Sequence, residues 1–308
     1  MSELNPLIKT LRAVPGTKYR LPSRGIFYIG TDILTDDVKD GELLIHPMNS
    51  LDEIAINTPG YLLDGTAIEL VIKRCVPQVL KPKLLKSADV DYILTCLRIV
   101  TFGEIASIPH VHQCPPKEDG TLYEITPQVH KVSLSPIIAT SQELDPIVWL
   151  QESTLTTAEG QTVTFEPMSY QTSLEVLDDY ARLVKEIATM ADRMQYTEDV
   201  DAEQNNIDQL STQMSQLSIE YETEKRMMVI INNTLKCAIL SVDGIQDKSL
   251  IEEWLTNIPI STKRMLSDRL MSFQRWGIKT SVESTCDRCQ AKVQLEVSTN
   301  PATFFMEP

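Results

Sequence analysis

Apolar positions along the chain change period several times, and each change marks an element. From Asp64 and Gly65 to Cys75, apolar Ala67, Ile68, Leu70, Val71 and Cys75 recur at helical spacing, and Pro77 stops the helix. A second helix is predicted from Ser87 or Asp89 as its cap, with Ile93, Leu94, Leu97 and Val100 as its buried stripe and Gly103 as a left-handed terminus. Between about 105 and 170 the period falls to two. Leu122 and Glu124, then Val129, Lys131 and Val132, then Val163 and Phe165 sit in β-rich stretches separated by Pro and Gly, which predicts a small β region. The longest periodic stretch follows. Leu177, Tyr180, Val184, Ile187, Ala191 and Met194 alternate steps of three and four, as do Ile207, Leu210, Met214, Leu217 and Tyr221, then Met228, Ile231 and Leu235; Glu224 alone breaks the second seam. An acidic, non-periodic link over 196–203 divides the two seams, so residues 174–237 are predicted to form an antiparallel helical hairpin turning near 196–205. Its second arm would span roughly 35 residues, or about 50 Å. Beyond Gly244 two helices are expected, one through Leu250, Ile251, Trp254 and Leu255 and one from Ser261 through Leu266 and Phe273 to Gly277. Val282, the pair Cys286 and Cys289, and alternating Val293, Leu295 and Val297 then read as strand, two-cysteine knuckle and strand.

These elements define an α+β chain, mainly helical. It divides into an N-terminal extended arm with short strands (1–60), a helical segment (61–105), a small β region (106–170), the long antiparallel helical hairpin (171–240), and C-terminal helices with the two-cysteine β-knuckle (241–308). The opening segment carries Pro6, Pro15 and Pro22. It ends in the run from Leu21 to Tyr28, read as a turn followed by a short strand.

Composition narrows the function classes. The 308 residues suffice to bury a core without disulfide staples. A formal charge of −15, from 28 Lys plus Arg against 43 Asp plus Glu, repels phosphate backbones and anionic lipid and argues against nucleic-acid or membrane partners. No window approaches eighteen consecutive apolar residues, and Met1 to Arg20 lacks the apolar run of a signal peptide, so a soluble chain made in a cytoplasm is expected. Phosphate-binding loops, dinucleotide fingerprints, zinc-protease helices and nucleophile elbows are all missing as motifs.

Six cysteines are too few for a disulfide scaffold in a chain of this size, and clustering among them is better read as metal chemistry. The spacing of Cys286 and Cys289 between two strands lets both thiolates face one tetrahedral ion. Two further ligands are needed, and the other suitable cluster is His110, His112 and Cys114. The reading is one structural zinc ion held by Cys286, Cys289, Cys114 and His112, with His110 as the alternative histidine. The competing readings are a pair of inert thiols beside an exposed histidine loop, and a thiol redox pair. The redox pair fits less well, because Gln290 to Val293 reads as a strand where such pairs open a helix. His46 and His130 stand apart and read as structural.

Taken in order along the chain, Leu21 to Tyr28, Met48 to Glu53, Leu62 to Gly65 with the helix to Cys75, Asp89 to Arg98 ahead of Gly103, the helices before Gly277, the Cys286 and Cys289 pair, and Phe304 with Phe305 resemble the baseplate hub proteins and hub assembly proteins of T-even-like contractile phages. The resemblance implies a late, non-enzymatic protein of viral tail assembly. It would bind other baseplate hub proteins and no nucleic acid, membrane or small-molecule substrate, working in the host cytoplasm during assembly or in the virion baseplate. This sequence departs from the expected pattern at His110, His112 and Cys114, where a cysteine pair would be the natural partner of the knuckle. The other function class open to the chain is a cytoplasmic zinc-binding enzyme or thiol redox protein.

Overall fold

A computed structural model describes residues 15–115, 127–198, 226–273, 276–299 and 304–305. In chain order these form β1 (Thr17–Arg20), β2 (Glu42–Ile45), α1 (Ser50–Ile56), α2 (Pro59–Leu63), α3 (Thr66–Cys75) and α4 (Ser87–Phe102), followed by β3 (Ile105–His110), β4 (Gln128–Ser133), α5 (Ser135–Ala139), α6 (Pro146–Glu152), β5 (Thr154–Thr156) and β6 (Thr162–Phe165). The helix α7 (Tyr170–Glu198), the helix α8 (226–238), β7 (Ile239–Val242), α9 (Lys248–Asn257), α10 (Ile260–Ser272), β8 (Ser281–Thr285) and β9 (Lys292–Glu296) complete the order. The fold is α+β, with small antiparallel sheets β1-β2, β3-β4, β5-β6-β7 and β8-β9. Two compact units divide the chain: 1–146 with 275–308, and 147–274.

The first unit packs around α3 and α4. Ala67, Ile68, Val71 and Cys75 of α3 and Ile93, Leu94 and Leu97 of α4 are buried, as their helical spacing predicts, whereas Leu70 is 38% exposed and Val100 half-buried. Other expectations need correction here. Neither Ser87 nor Asp89 caps α4, whose cap residue is Lys86 with no side-chain cap bond. Asp89 turns inward and is fully buried, where it accepts hydrogen bonds from the Ser23 amide (3.1 Å) and the Tyr28 hydroxyl (2.6 Å). The Tyr28 oxygen in turn accepts from the Lys86 amide (2.8 Å), so one buried carboxyl ties the Leu21 to Tyr28 turn to the start of α4. That turn runs into a short 3-10 helix, Ile26–Tyr28, and not into a strand, because Tyr28 must point at Asp89. Gly41 closes the same region. It sits at φ +68°, and a Cβ there would lie 2.8 Å from the Arg24 backbone.

The C-terminal stretch joins this unit through several ties. Gln142 and Gly277 exchange backbone hydrogen bonds of 2.8 Å, Thr299 donates to Asp91 (2.8 Å), and Arg98 donates to the Phe304 carbonyl (3.2 Å). Phe304 and Phe305 are both buried.

The second unit has its own core of Val163, Phe165, Leu235, Ile239, Val242, Ile251, Leu255, Leu266 and Phe273, and Phe273 stacks against both Trp149 and Phe165. The strand β7 was not anticipated from the sequence, where it continues the apolar run of the helix before it. It pairs antiparallel with β6, so the chain leaves this sheet at Phe165 and returns at Ile239. Along the helices between, Asp179 accepts from Asn233 (3.2 Å) and Glu186 pairs with Arg226. Of the link expected at 196–205, residues 196–198 continue α7 as helix, and the remainder, with the seam from Ile207 to Tyr221, lies outside the described residues.

The seam expected on α7 is displaced by one residue. Leu183 is buried, whereas Leu177, Tyr180 and Val184 are 63%, 49% and 48% exposed. The cause is the doublets Val176-Leu177 and Leu183-Val184, which fit two apolar stripes about 100° apart on one helix. The bond from Asn233 to Asp179 lies on the same face as Leu183, four residues further on.

Burial raises the Asp89 carboxyl to about 6, with the bonds from Ser23 and Tyr28 acting in the opposite direction. Its value in an unfolded chain is about 3.9. A carboxyl raised on folding favours the fold most when protonated, so this contribution is fully present below about pH 4 and is lost as pH rises through 6. Asp89→Asn removes that dependence. In urea unfolding at pH 4 and pH 7, the parent protein is expected to lose roughly 2 kcal/mol relative to the variant on going to the higher pH. A stability difference that stays constant over this range would contradict the assignment.

Candidate metal centre

The antiparallel pairing of β3 and β4 sets His110 opposite Gln128 and carries the chain out of the sheet just before His112 and Cys114. The second pair of ligands comes from the turn between β8 and β9. There the Cys286 amide donates to the Ala291 carbonyl and the Gln290 amide donates to the Cys286 carbonyl, both at 2.9 Å. Gln290 takes a left-handed conformation (φ 57°) that returns the chain into β9. Ser284 of β8 shares a 3.0 Å hydrogen bond with Nδ1 of buried His130, so β4 and β8 are held together beside the turn.

Among the described residues, His112, Cys114, Cys286 and Cys289 form a group whose ligand atoms all lie within 4.8 Å of one another. Cys114 Sγ is 3.6 Å from Cys286 Sγ, too far for a disulfide, and Cys289 Sγ is 3.3 Å from His112 Nε2. A tetrahedral zinc ion with sulfur ligands at 2.3 Å would set its sulfurs about 3.8 Å apart. The spacing and the donor set therefore fit such an ion. Cys114 and Cys286 are buried and His112 and Cys289 half-buried.

His110 is the histidine that the structure does not bring to the group; its ring meets His130 edge-on, with centroids 6.1 Å apart. His130 and Cys237 also lie outside it. Sequence reasoning missed Gln128, whose Oε1 is 3.4 Å from Cys286 Sγ. Its only sequence signal was its place at the start of the strand after the histidine cluster.

The thiols are unequal. The backbone amides of Cys289 and, more weakly, Arg288 point at Cys286 and bring it down to about 6 against the effect of burial. Burial pushes Cys114 up to about 11, and the neighbouring Cys286 and Cys289 add to the shift. Cys286 is thus shifted toward the thiolate chiefly by backbone amides, with hydrogen bonds from Cys289 and Cys114 adding to the effect, whereas Cys114 is shifted toward the thiol.

Among the described residues, small antiparallel sheets on a helical frame bring these Cys3His side chains together. The chain matches the family model described as T4 bacteriophage base plate protein over residues 54–306, and it belongs to that family. It is a phage baseplate component. No curated protein and no solved structure matches it. Among the described residues, no helix is long and apolar enough to cross a membrane.

Proposed function

We propose that this chain is a hub component or hub assembly factor of the phage baseplate, that it acts by binding other baseplate hub proteins, and that it catalyses no reaction. The observation that carries the reading is the family match over 54–306, together with a cluster whose four ligands are all protein side chains. A closed tetrahedral set leaves no position for a substrate or an activated water, which favours a structural zinc ion over a catalytic one. His112, Cys114, Cys286 and Cys289 would hold that ion and knit the β8-β9 turn to the end of β3. A two-stranded sheet of five-residue strands is marginal by itself, so the turn gains its stability from the metal.

The binding surfaces proposed are the exposed faces of an antiparallel hairpin made by α7 and α8 and the proline-rich arm before Tyr28. The reversed order of the Asp179 to Asn233 and Glu186 to Arg226 contacts supports the hairpin. The acidic surface disfavours nucleic acid and anionic membrane.

Protein purified without chelators is expected to carry one zinc ion per chain by elemental analysis. Cys286→Ser should abolish the metal and destabilise the first unit by more than about 4 kcal/mol, while Cys237→Ser changes stability by about 1 kcal/mol or less. The second unit, with its separate core, should retain its unfolding transition in both variants. Metal-free protein, or equal effects of the two substitutions, would overturn the structural zinc.

The arm is tested by truncation. Thr17 to Arg20 pair with β2, and Arg20 bonds to Asp40 and Glu143, so a deletion that spares this pairing must end before Thr17. Removing residues 1–14 is expected to leave the melting temperature unchanged and to lower the yield of baseplates in a complementation assay. Normal tail formation by the truncated protein would remove the arm from the set of binding surfaces.

A further inference from the structure

The Cys286 sulfur lies in a fully buried side chain, yet the group that faces it from β4 is the carboxamide of Gln128, Oε1 to Sγ 3.4 Å. With a protonated thiol this contact is sound, the S–H donating to the amide oxygen. With a metal-bound thiolate it is not, because sulfur then only accepts and would face a second acceptor. Turning the carboxamide by half a revolution about its last bond exchanges oxygen and nitrogen with almost no change of shape. Three thiolates and one neutral imidazole on a divalent ion leave a net charge of −1, which in a buried site must be spread over hydrogen-bond donors. The amides of Cys289 and Arg288 supply donors from the turn itself.

From this we infer that Gln128 is an outer-sphere positioning residue of the metal centre, its side-chain NH2 donating to the Cys286 thiolate. The inference rests on the zinc reading above. Gln128 stands opposite His110 in the β3-β4 ladder, two residues before His112 on the facing strand, so the bond couples the Cys286 sulfur to the strand pair that delivers the other two ligands. The coupled residues are 158 apart in the chain. The contact therefore also aligns β4 with the turn, alongside the bond between His130 and Ser284.

The test uses the full chain and two variants of nearly equal side-chain length. Gln128→Glu keeps the shape but faces the thiolate with an acceptor and a charge; Gln128→Met removes the donor without adding charge. In competition against a chromophoric chelator, zinc affinity is expected to fall about 10-fold to 100-fold in Gln128→Glu and by a smaller factor in Gln128→Met. With cobalt(II) in place of zinc, the sulfur-to-metal charge-transfer band should move to lower energy in Gln128→Met, because a thiolate that loses a donor is more electron-rich. A residue that served packing alone would leave that band in place. A parent protein that binds neither zinc nor cobalt overturns the metal reading itself. A parent that binds both, with Gln128→Met matching its affinity and its band, overturns the role of Gln128 even if Gln128→Glu is weakened.

Discussion

Three sulfurs and an imidazole nitrogen within 4.8 Å of one another are an arrangement that a folded chain does not hold without reason. As thiolates they repel, and as thiols they forgo the apolar packing that buried cysteine otherwise offers. The proposed divalent cation would resolve the conflict by offsetting most of that charge and fixing the spacing. Such an ion would tie together the two ends of the first unit, because the two ligand pairs come from opposite sides of a long insertion. Cys114 and Cys286 are 172 residues apart, and residues 147–274 between them form a unit with a separate core. The first unit is discontinuous, so its closure waits for the last part of the chain.

Other ties run between the same two stretches, and they differ in kind. The Gln142 and Gly277 bridge is a pair of hydrogen bonds, and the bond from Thr299 to Asp91 and the bond from Arg98 to Phe304 are single ones, each bond contributing about 1 kcal/mol net, or somewhat more where a charged group takes part. Phe304 and Phe305 add apolar burial against the same unit. A metal ion with four protein ligands exceeds each of these and is directional, which suits a β-hairpin too short to stand alone. In a baseplate component such a staple would stabilise a surface that partners can use without an extended hydrophobic core beneath it.

Much of this was legible in the sequence, and the exceptions have identifiable causes. The spacing of Cys286 and Cys289, and the cluster of His110, His112 and Cys114, named the candidate ligands, but only the register of β3 decides between the histidines: His110 stays in the ladder and meets His130, while His112 lies beyond the strand end. Helices α3 and α4 followed their apolar stripes except at Leu70, which is exposed, and Val100, which is half-buried. Asp89 did not read as a buried anchor, because an acid near a helix start looks like a cap until Tyr28 and Ser23 are brought to it by the fold. The stripe on α7 was ambiguous for a simple reason: adjacent apolar doublets satisfy two periodic patterns, and the face that packs, carrying Leu183 and Asp179, meets residues such as Asn233 far along the chain. Strand β7 was hidden in the apolar continuation of a helix and exists because β6 is there to pair with it. In each case the missing information was a partner far away in the chain.

The central claim, a closed structural metal centre, is tested most directly by zinc K-edge X-ray absorption on protein purified under native conditions. The account expects three sulfur scatterers at about 2.3 Å and one nitrogen at about 2.0–2.1 Å, with no water oxygen in the inner shell. A sample without zinc, or a spectrum with two sulfurs and coordinated oxygen, would contradict it.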